Sequence, residues 1–399
     1  MALLGSHQKR YSPQLRSHIF ADCGNRSLVA LAQTCHDFFA TAAPIMWRSL
    51  SSLGPLFGCL PQSVAKMTDP THMALQQQAP QLSSLTITCR PFQRPTNLFV
   101  GCDALKSLHL SSVDHETVRA IARLPQLQEL HIGFPSSLSF DTSAFPERPF
   151  ASLSSLTISK GLDSTIIAFL SSISAVSLAT VTIHSKCQVP LRSLCESLSK
   201  HSAKMRQLKI EAEGTDLTCQ DVEPLFSCRN LVAVCIIPSR LVKLDAAGLA
   251  RMVKAWPLLQ ELWIRSADTR FEHDFPLALA DLKAFADWTP CLRRLSIDFD
   301  ATQVAALPEL DERSGLDETL RNPRSALAYL NVGYSPIDDA DADAVASVLS
   351  TWFPGLQAVG YLRRYPEKQY GFDGWARVMN KVSGGRQPPA SVVRSVLYP

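Results

Sequence analysis

The apolar positions of this chain recur as one six-residue phrase, Leu-x-x-Leu-x-Ile or a near equivalent. The phrase begins at Leu82, Leu105, Leu127, Leu153, Leu178, Met205, Leu231, Leu259, Leu292, Leu327 and Leu356, with successive starts 22 to 35 residues apart. Its fourth and sixth positions are two residues apart, the period of a strand with one buried face. One such strand cannot bury that face alone, whereas stacked copies can. The stretches between phrases have helical spacing. Asp114–Leu124 places Val118, Ile121 and Leu124 on one side, and Asp114 and Glu116 suit a helix N-terminus. Asp163–Ile173, Pro190–Ser202, Asp245–Trp256, Leu277–Trp288 and Asp338–Trp352 behave likewise, and Pro125, Pro257, Pro290 and Pro354 each stand between such a stretch and the next phrase.

A strand, a turn and a helix every ~27 residues predict an α/β fold, a leucine-rich-repeat solenoid. The expected form is a horseshoe with parallel strands on its concave face. About eleven repeats occupy 61–380, between a small all-α head at 1–60 and a C-terminal tail at 381–399. Thr88, Ser111, Gly133, Ser159, His184 and Glu211 follow the phrase where repeats of this kind usually carry Asn, so these resemble the long, irregular variety. The widest intervals imply inserted loops around Thr269–Phe275 and Ala301–Arg324.

The head reads as three short helical pieces, Pro13–Ala21, Arg26–Ala43 and a last turn from Pro44 to Leu50. Its words are LRSHIF, Leu15 to Phe20, and SLVALAQTCHDFFATAAPIMWRSL, Ser27 to Leu50. This segment resembles the F-box of fungal F-box-like families. In these an Ile-Phe helix precedes a Ser-Leu-led helix, a Cys-aromatic step and a Pro-x-x-Trp-Arg-x-Leu close, here Pro44, Trp47, Arg48 and Leu50. The resemblance implies a substrate-recognition subunit of a cullin-RING ubiquitin ligase, without catalytic residues of its own. It implies adaptor-binding residues at Pro13, Leu15, Ile19, Phe20, Leu28, Phe38 and Trp47, facing a Skp-type adaptor and its cullin. Tyr11, Ser12, Pro13 and Gln14 depart from the family's opening, where Leu-Pro is followed by an acidic residue. A second reading therefore stays open, a non-ligase repeat scaffold whose helical head only caps the solenoid.

Composition adds exclusions. Lys+Arg is 39 and Asp+Glu 36, a net charge of +3, and the head alone carries that excess: Lys9, Arg10, Arg16, Arg26 and Arg48 against Asp22 and Asp37. The repeats are neutral, so neither nucleic acid nor an anionic membrane is expected as a partner. No apolar run reaches a membrane-spanning length, and the start of the chain is ordered unlike a signal peptide. The 11 cysteines include no Cys-x-x-Cys and read as reduced thiols, many of them core residues, in the cytoplasm or nucleus.

No phosphate loop, His-Glu-x-x-His or Gly-x-Ser-x-Gly occurs, so no enzyme, metal or cofactor is expected. His109 and His131 fall at the same phrase position, but the next rung offers Thr157, and two ligands do not hold zinc. The acidic run Asp338, Asp339, Asp341 and Asp343 suits a helix start. Positions 3 and 5 of each phrase are expected to face solvent. Early rungs are small there (Ser84, Thr86, Ser155, Thr157, Thr180, Thr182), and later ones are large. Glu261, Trp263, Arg265, Arg294, Asp298, Tyr329 and Asn331 are the candidate target-binding residues, because Trp, Tyr and Arg concentrate binding energy at protein interfaces.

Overall fold

A computed structural model of the chain describes residues 49–50, 82–87, 99, 101–135, 145–174, 177–185, 191–266, 275–303, 325–361 and 372–384. The chain divides into two compact units, Met1–Ser159 with Ser172–Ala175, and Lys160–Ser171 with Val176–Pro399. The seven head residues assigned to adaptor binding, Pro13, Leu15, Ile19, Phe20, Leu28, Phe38 and Trp47, lie outside the described residues.

In the first unit, strands β1 (Ser49–Leu50), β2 (Ser84–Ile87), β3 (Ser107–Leu110), β4 (Glu129–Gly133) and β5 (Ser155–Lys160) succeed one another. Ser84 is level with Ser49 and Ser107, and Ser107 with Glu129, all in parallel pairs. The Ser155 N–H continues the ladder by donating to the Gln128 carbonyl at 2.9 Å. Helix α1 (His115–Ile121) begins where Asp114, its N-cap, accepts from the Thr117 N–H at 2.7 Å.

The second unit continues the alternation. Its elements are α2 (Asp163–Ser172), β6 (Thr180–Ser185), α3 (Leu191–Ser199), β7 (Gln207–Ala212), β8 (Leu217–Thr218), α4 (Cys219–Val222), β9 (Ala233–Pro238), β10 (Val242–Lys243) and α5 (Ala246–Ala255). There follow β11 (Glu261–Ile264), α6 (Lys283–Trp288), β12 (Arg294–Ile297), β13 (Tyr329–Asn331), α7 (Ala342–Trp352), β14 (Ala358–Gly360) and α8 (Phe372–Val382). Strands β6, β7, β9, β11, β12, β13 and β14 lie side by side in that order, all parallel. β8 and β10 form a small separate parallel pair.

Every strand but β1, β8 and β10 starts at the third position of a phrase. The fourth and sixth positions, such as Leu208 and Ile210, Val234 and Ile236, Leu262 and Ile264, and Leu295 and Ile297, are buried. They share the core with Leu194, Leu198, Leu249, Met252, Phe285 and Leu349 from the helices. Burying each such side chain contributes about 1.5–3 kcal/mol. This is a leucine-rich-repeat solenoid.

Three expectations change. Ser49 and Leu50 are a strand rather than the end of a helical turn, because their backbone pairs with Ser84 and Leu85 and so covers the edge of β2. Leu277–Trp288 and Asp338–Trp352 open with 3-10 turns, Leu279–Leu282 and Asp339–Asp341, before their α-helices. Helix α8 crosses the expected boundary at 381. Trp375 donates from Nε1 to the Ser335 carbonyl at 2.8 Å, and Lys381 Nζ lies 3.1 Å from Asp343 Oδ1. Gly374 permits this docking, since a Cβ there would meet Ile337 Cγ2 at 2.9 Å. Part of the acidic run thus receives partners from α8 as well as opening α7.

Candidate functional site

The face of the second unit's sheet that carries the odd phrase positions is built in rows. Parallel register places Ala233, Glu261, Arg294, Tyr329 and Ala358 on one row, and Cys235, Trp263, Ser296, Asn331 and Gly360 on the next. Arg265 and Asp298 come one alternation further, just past the ends of β11 and β12. All seven candidate target-binding residues therefore come from three adjacent strands or their ends, which is what equal phrase positions in successive repeats require.

Their exposure differs from the expectation. Trp263 is only 9% exposed and packs with Cys235, Tyr329 and Ala358 into a cluster flanked by Ile237. Asn331 and Ser296 are buried, Glu261, Arg265 and Asp298 are half-buried, and Arg294 is exposed. Positions 3 and 5 of these rungs are thus not simply wetted. Neighbouring strands lie about 4.8 Å apart, so large side chains here cover the small ones beside them.

The charges are paired across strands. Arg294 Nη1 is 3.1 Å from Glu261 Oε1, and Arg265 Nε is 4.0 Å from Asp298 Oδ1. Asp298 also accepts from the Tyr334 N–H at 3.3 Å. Gly333 makes this approach possible: its φ is +54°, and a Cβ would overlap the Asp298 carboxylate. Asn331 Oδ1 accepts from the Gly333 N–H at 3.0 Å, which orients its Nδ2 away from that turn. Among the described residues the Tyr329 hydroxyl, Ser296 Oγ and Asn331 Nδ2, all buried, have no hydrogen-bond partner. Burial raises the Tyr329 phenol pKa, despite Arg265, so the ring stays protonated.

On the β6 side the face opens into a groove of about 310 Å³ lined by Thr180, Thr182, Gln207, Lys209, Cys235 and Trp263, among others. At one end His184 Nδ1 meets Glu211 Oε2 at 2.6 Å, and Lys209 Nζ meets Glu211 Oε1 at 3.1 Å. Burial alone would raise the Glu211 carboxyl, but hydrogen bonds from His184 and Lys209 outweigh it and hold the pKa below the ordinary value. Gln207, Lys209 and Cys235 were not singled out from sequence, although they occupy the same two phrase positions as Glu261 and Trp263. Residue size drew attention to β11–β13, whereas the groove exists because Ala233 and Cys235 are small.

Elsewhere, His109 and His131 stack with ring centroids 3.8 Å apart and planes 8° apart. Parallel rings do not aim their nitrogens at one point. Among the described residues no group of three or more His, Cys, Asp or Glu could hold a metal ion. Cys102, Cys195, Cys219, Cys228 and Cys235 are buried, while Cys291 is exposed. No helix among the described residues is long and apolar enough to cross a membrane.

Neither a family model nor a curated protein matches the chain. Solved structures that resemble it include an internalin from Listeria monocytogenes, at 13% identity and a TM-score of 0.43, covering 85% of this chain and 89% of that one. A leucine-rich-repeat-containing protein from Legionella pneumophila matches at 14% identity and 0.33, over 77% and 99%. The yeast Rad7 and Elc1 complex matches at 13% identity and 0.40, over 90% and 91%.

Proposed function

We propose that this chain is a protein-recognition subunit whose second unit binds a partner protein across the face of β6–β13. The supporting observation is the join between the groove and the Trp263–Tyr329 cluster. There a largely buried aromatic cluster, an exposed cross-strand Arg294–Glu261 pair and buried polar atoms with no hydrogen-bond partner among the described residues lie together on the sheet. Aromatic and Arg anchors surrounded by adaptable polar groups are what an interface core needs. Glu261, Trp263, Arg265, Arg294, Asp298, Tyr329 and Asn331 are the contact residues in this reading, with Lys209 and Gln207 added from the groove.

The F-box-like words from Leu15 to Leu50 extend the proposal. The head binds a Skp-type adaptor and the repeats present a target for ubiquitin transfer, which places the protein in the cytoplasm or nucleus. Affinity purification of the full chain tests this. The ligase reading predicts an adaptor and a cullin among the co-purifying proteins, both lost with Ile19→Asp plus Trp47→Ala. Purification that returns neither sinks it.

A specific observation favours the second reading, that of a capping head. Ser49 and Leu50 pair with β2, so the end of the head continues directly into the sheet. A pure cap predicts that removing residues 1–48 lowers the stability of the first unit and changes no interaction.

A further inference from the structure

We infer that the turns between helix ends and strand starts in the second unit form a separate docking surface for an acidic polypeptide segment carrying apolar side chains. Four such turns, 200–206, 228–232, 256–260 and 289–293, are laid side by side by backbone hydrogen bonds. Val232 N–H donates to the Arg206 carbonyl at 2.7 Å, Gln260 N–H to Val232 at 2.8 Å, and Arg293 N–H to Gln260 at 2.8 Å. The Asn230 side chain also donates to the Ala203 carbonyl at 2.8 Å.

These turns contain Lys200, Lys204, Arg206, Arg229 and Arg293 and no Asp or Glu. Lys204, Arg206, Arg229 and Arg293 are exposed. None of them forms an ion pair among the described residues, although Arg192, Lys243, Arg251 and Arg294 in the same unit all do. Attraction to helix C-termini does not explain the concentration. The turn after α7, Phe353 to Gln357, has the same position and carries no cation.

The same edge holds two of the few large apolar side chains exposed among the described residues. Leu258 is 46% and Trp288 48% exposed. Lys254 Nζ lies 4.4 Å from the Trp288 ring centroid, so cation and aromatic form one surface. Asp287 is the one carboxylate in the last turns of α5 and α6. Unpaired cations beside an exposed Trp suit a partner of opposite charge with an apolar side chain to cover the ring. Arg206 and Arg293 stand three strand spacings apart, about 14 Å, which is the length of about four extended residues. The fitting ligand is thus a peptide with acids about four residues apart and Leu or Phe between them. This surface is built from different residues than the groove, so it stands whether or not the open face binds a target.

The test uses the full chain and three fluorescent probes: a short peptide alternating Glu pairs with Leu, the same peptide with Gln for Glu, and a short single-stranded RNA. The Glu peptide is expected to bind, with the Gln peptide and the RNA at least about tenfold weaker. Arg206→Glu with Arg293→Glu is expected to weaken it about tenfold, and Trp288→Ser several-fold, with an unchanged far-UV spectrum. All three positions are exposed, so the variants are expected to fold. Equal binding of the Gln peptide, tighter binding of the RNA, or indifference to the charge reversal overturns the proposal.

Discussion

The indole N–H of Trp375 donates to the carbonyl of Ser335 at 2.8 Å, while Ser335 Oγ accepts from the Phe299 N–H at 2.9 Å. Phe299 and Trp375 meet edge to face, ring centroids 5.9 Å apart. Helix α8 is thereby pinned to the turn after β13 and closes this end of the core. Trp375→Ala is expected to cost about 3–5 kcal/mol. The loss should be local, because repeats contact mainly their neighbours. Hydrogen exchange checks it: α8, α7 and β14 should lose protection while β6 and β7 keep theirs.

Trp263 and Arg294 should separate stability from recognition. Trp263 is nearly buried, so Trp263→Ala is expected to destabilise by about 3 kcal/mol. The exposed Arg294–Glu261 pair contributes under about 1 kcal/mol, so Arg294→Ala should leave the thermal midpoint almost unchanged and weaken partner binding. Thermal melts and pull-downs of the two variants make the comparison. Normal partner retention by Arg294→Ala with Lys209→Ala would remove the sheet face from the binding site.

Gly333→Ala should be more harmful than a methyl group suggests. A residue with a Cβ is strained at φ +54°, and this Cβ would displace the Asp298 carboxylate from Arg265 and Tyr334. A loss of about 1–3 kcal/mol in chemical denaturation is expected.

Acid should weaken the second unit through two carboxylates. Asp216 is held below its ordinary value of 3.8, chiefly by the hydrogen bond from Lys243, and Glu211 below 4.5 by His184 and Lys209 against the opposing effect of burial. Groups with depressed pKa values stabilise the fold above their unfolded values and lose that contribution as pH falls through the folded ones. The decline should therefore begin near pH 4.5 for Glu211 and 3.8 for Asp216. Asp216→Asn should flatten part of it, as followed by denaturation midpoints across the acid range.

Thiol chemistry should follow burial. Burial pushes the Cys235 thiol up to about 11 and Cys228 also to about 11. At neutral pH, iodoacetamide should label exposed Cys291 well before either, as peptide mass spectrometry would show.

Much of the scaffold was legible in the chain. A Leu or Ile at positions 4 and 6 has one low-energy place, inside, and each phrase carries a strand. Helix starts such as Asp114 and Asp245 were readable because capping is local. Helix α8 was not, because its place depends on Trp375 reaching Ser335, 40 positions away. The strand at Ser49–Leu50 was hidden for the same reason, since its hydrogen bonds go to β2.

The candidate site divides along the same line. Sequence by itself determined which residues share a row: register is set by repeat period, and side-chain direction by parity. Only the tertiary structure decided which of them water reaches. Trp263 and Tyr329 fold into a cluster with Cys235 and Ala358, residues too small to attract notice, while Arg206, Arg229 and Arg293 become one surface because turns distant in sequence stack. Periodicity is local and additive, whereas exposure depends on what every neighbour leaves uncovered.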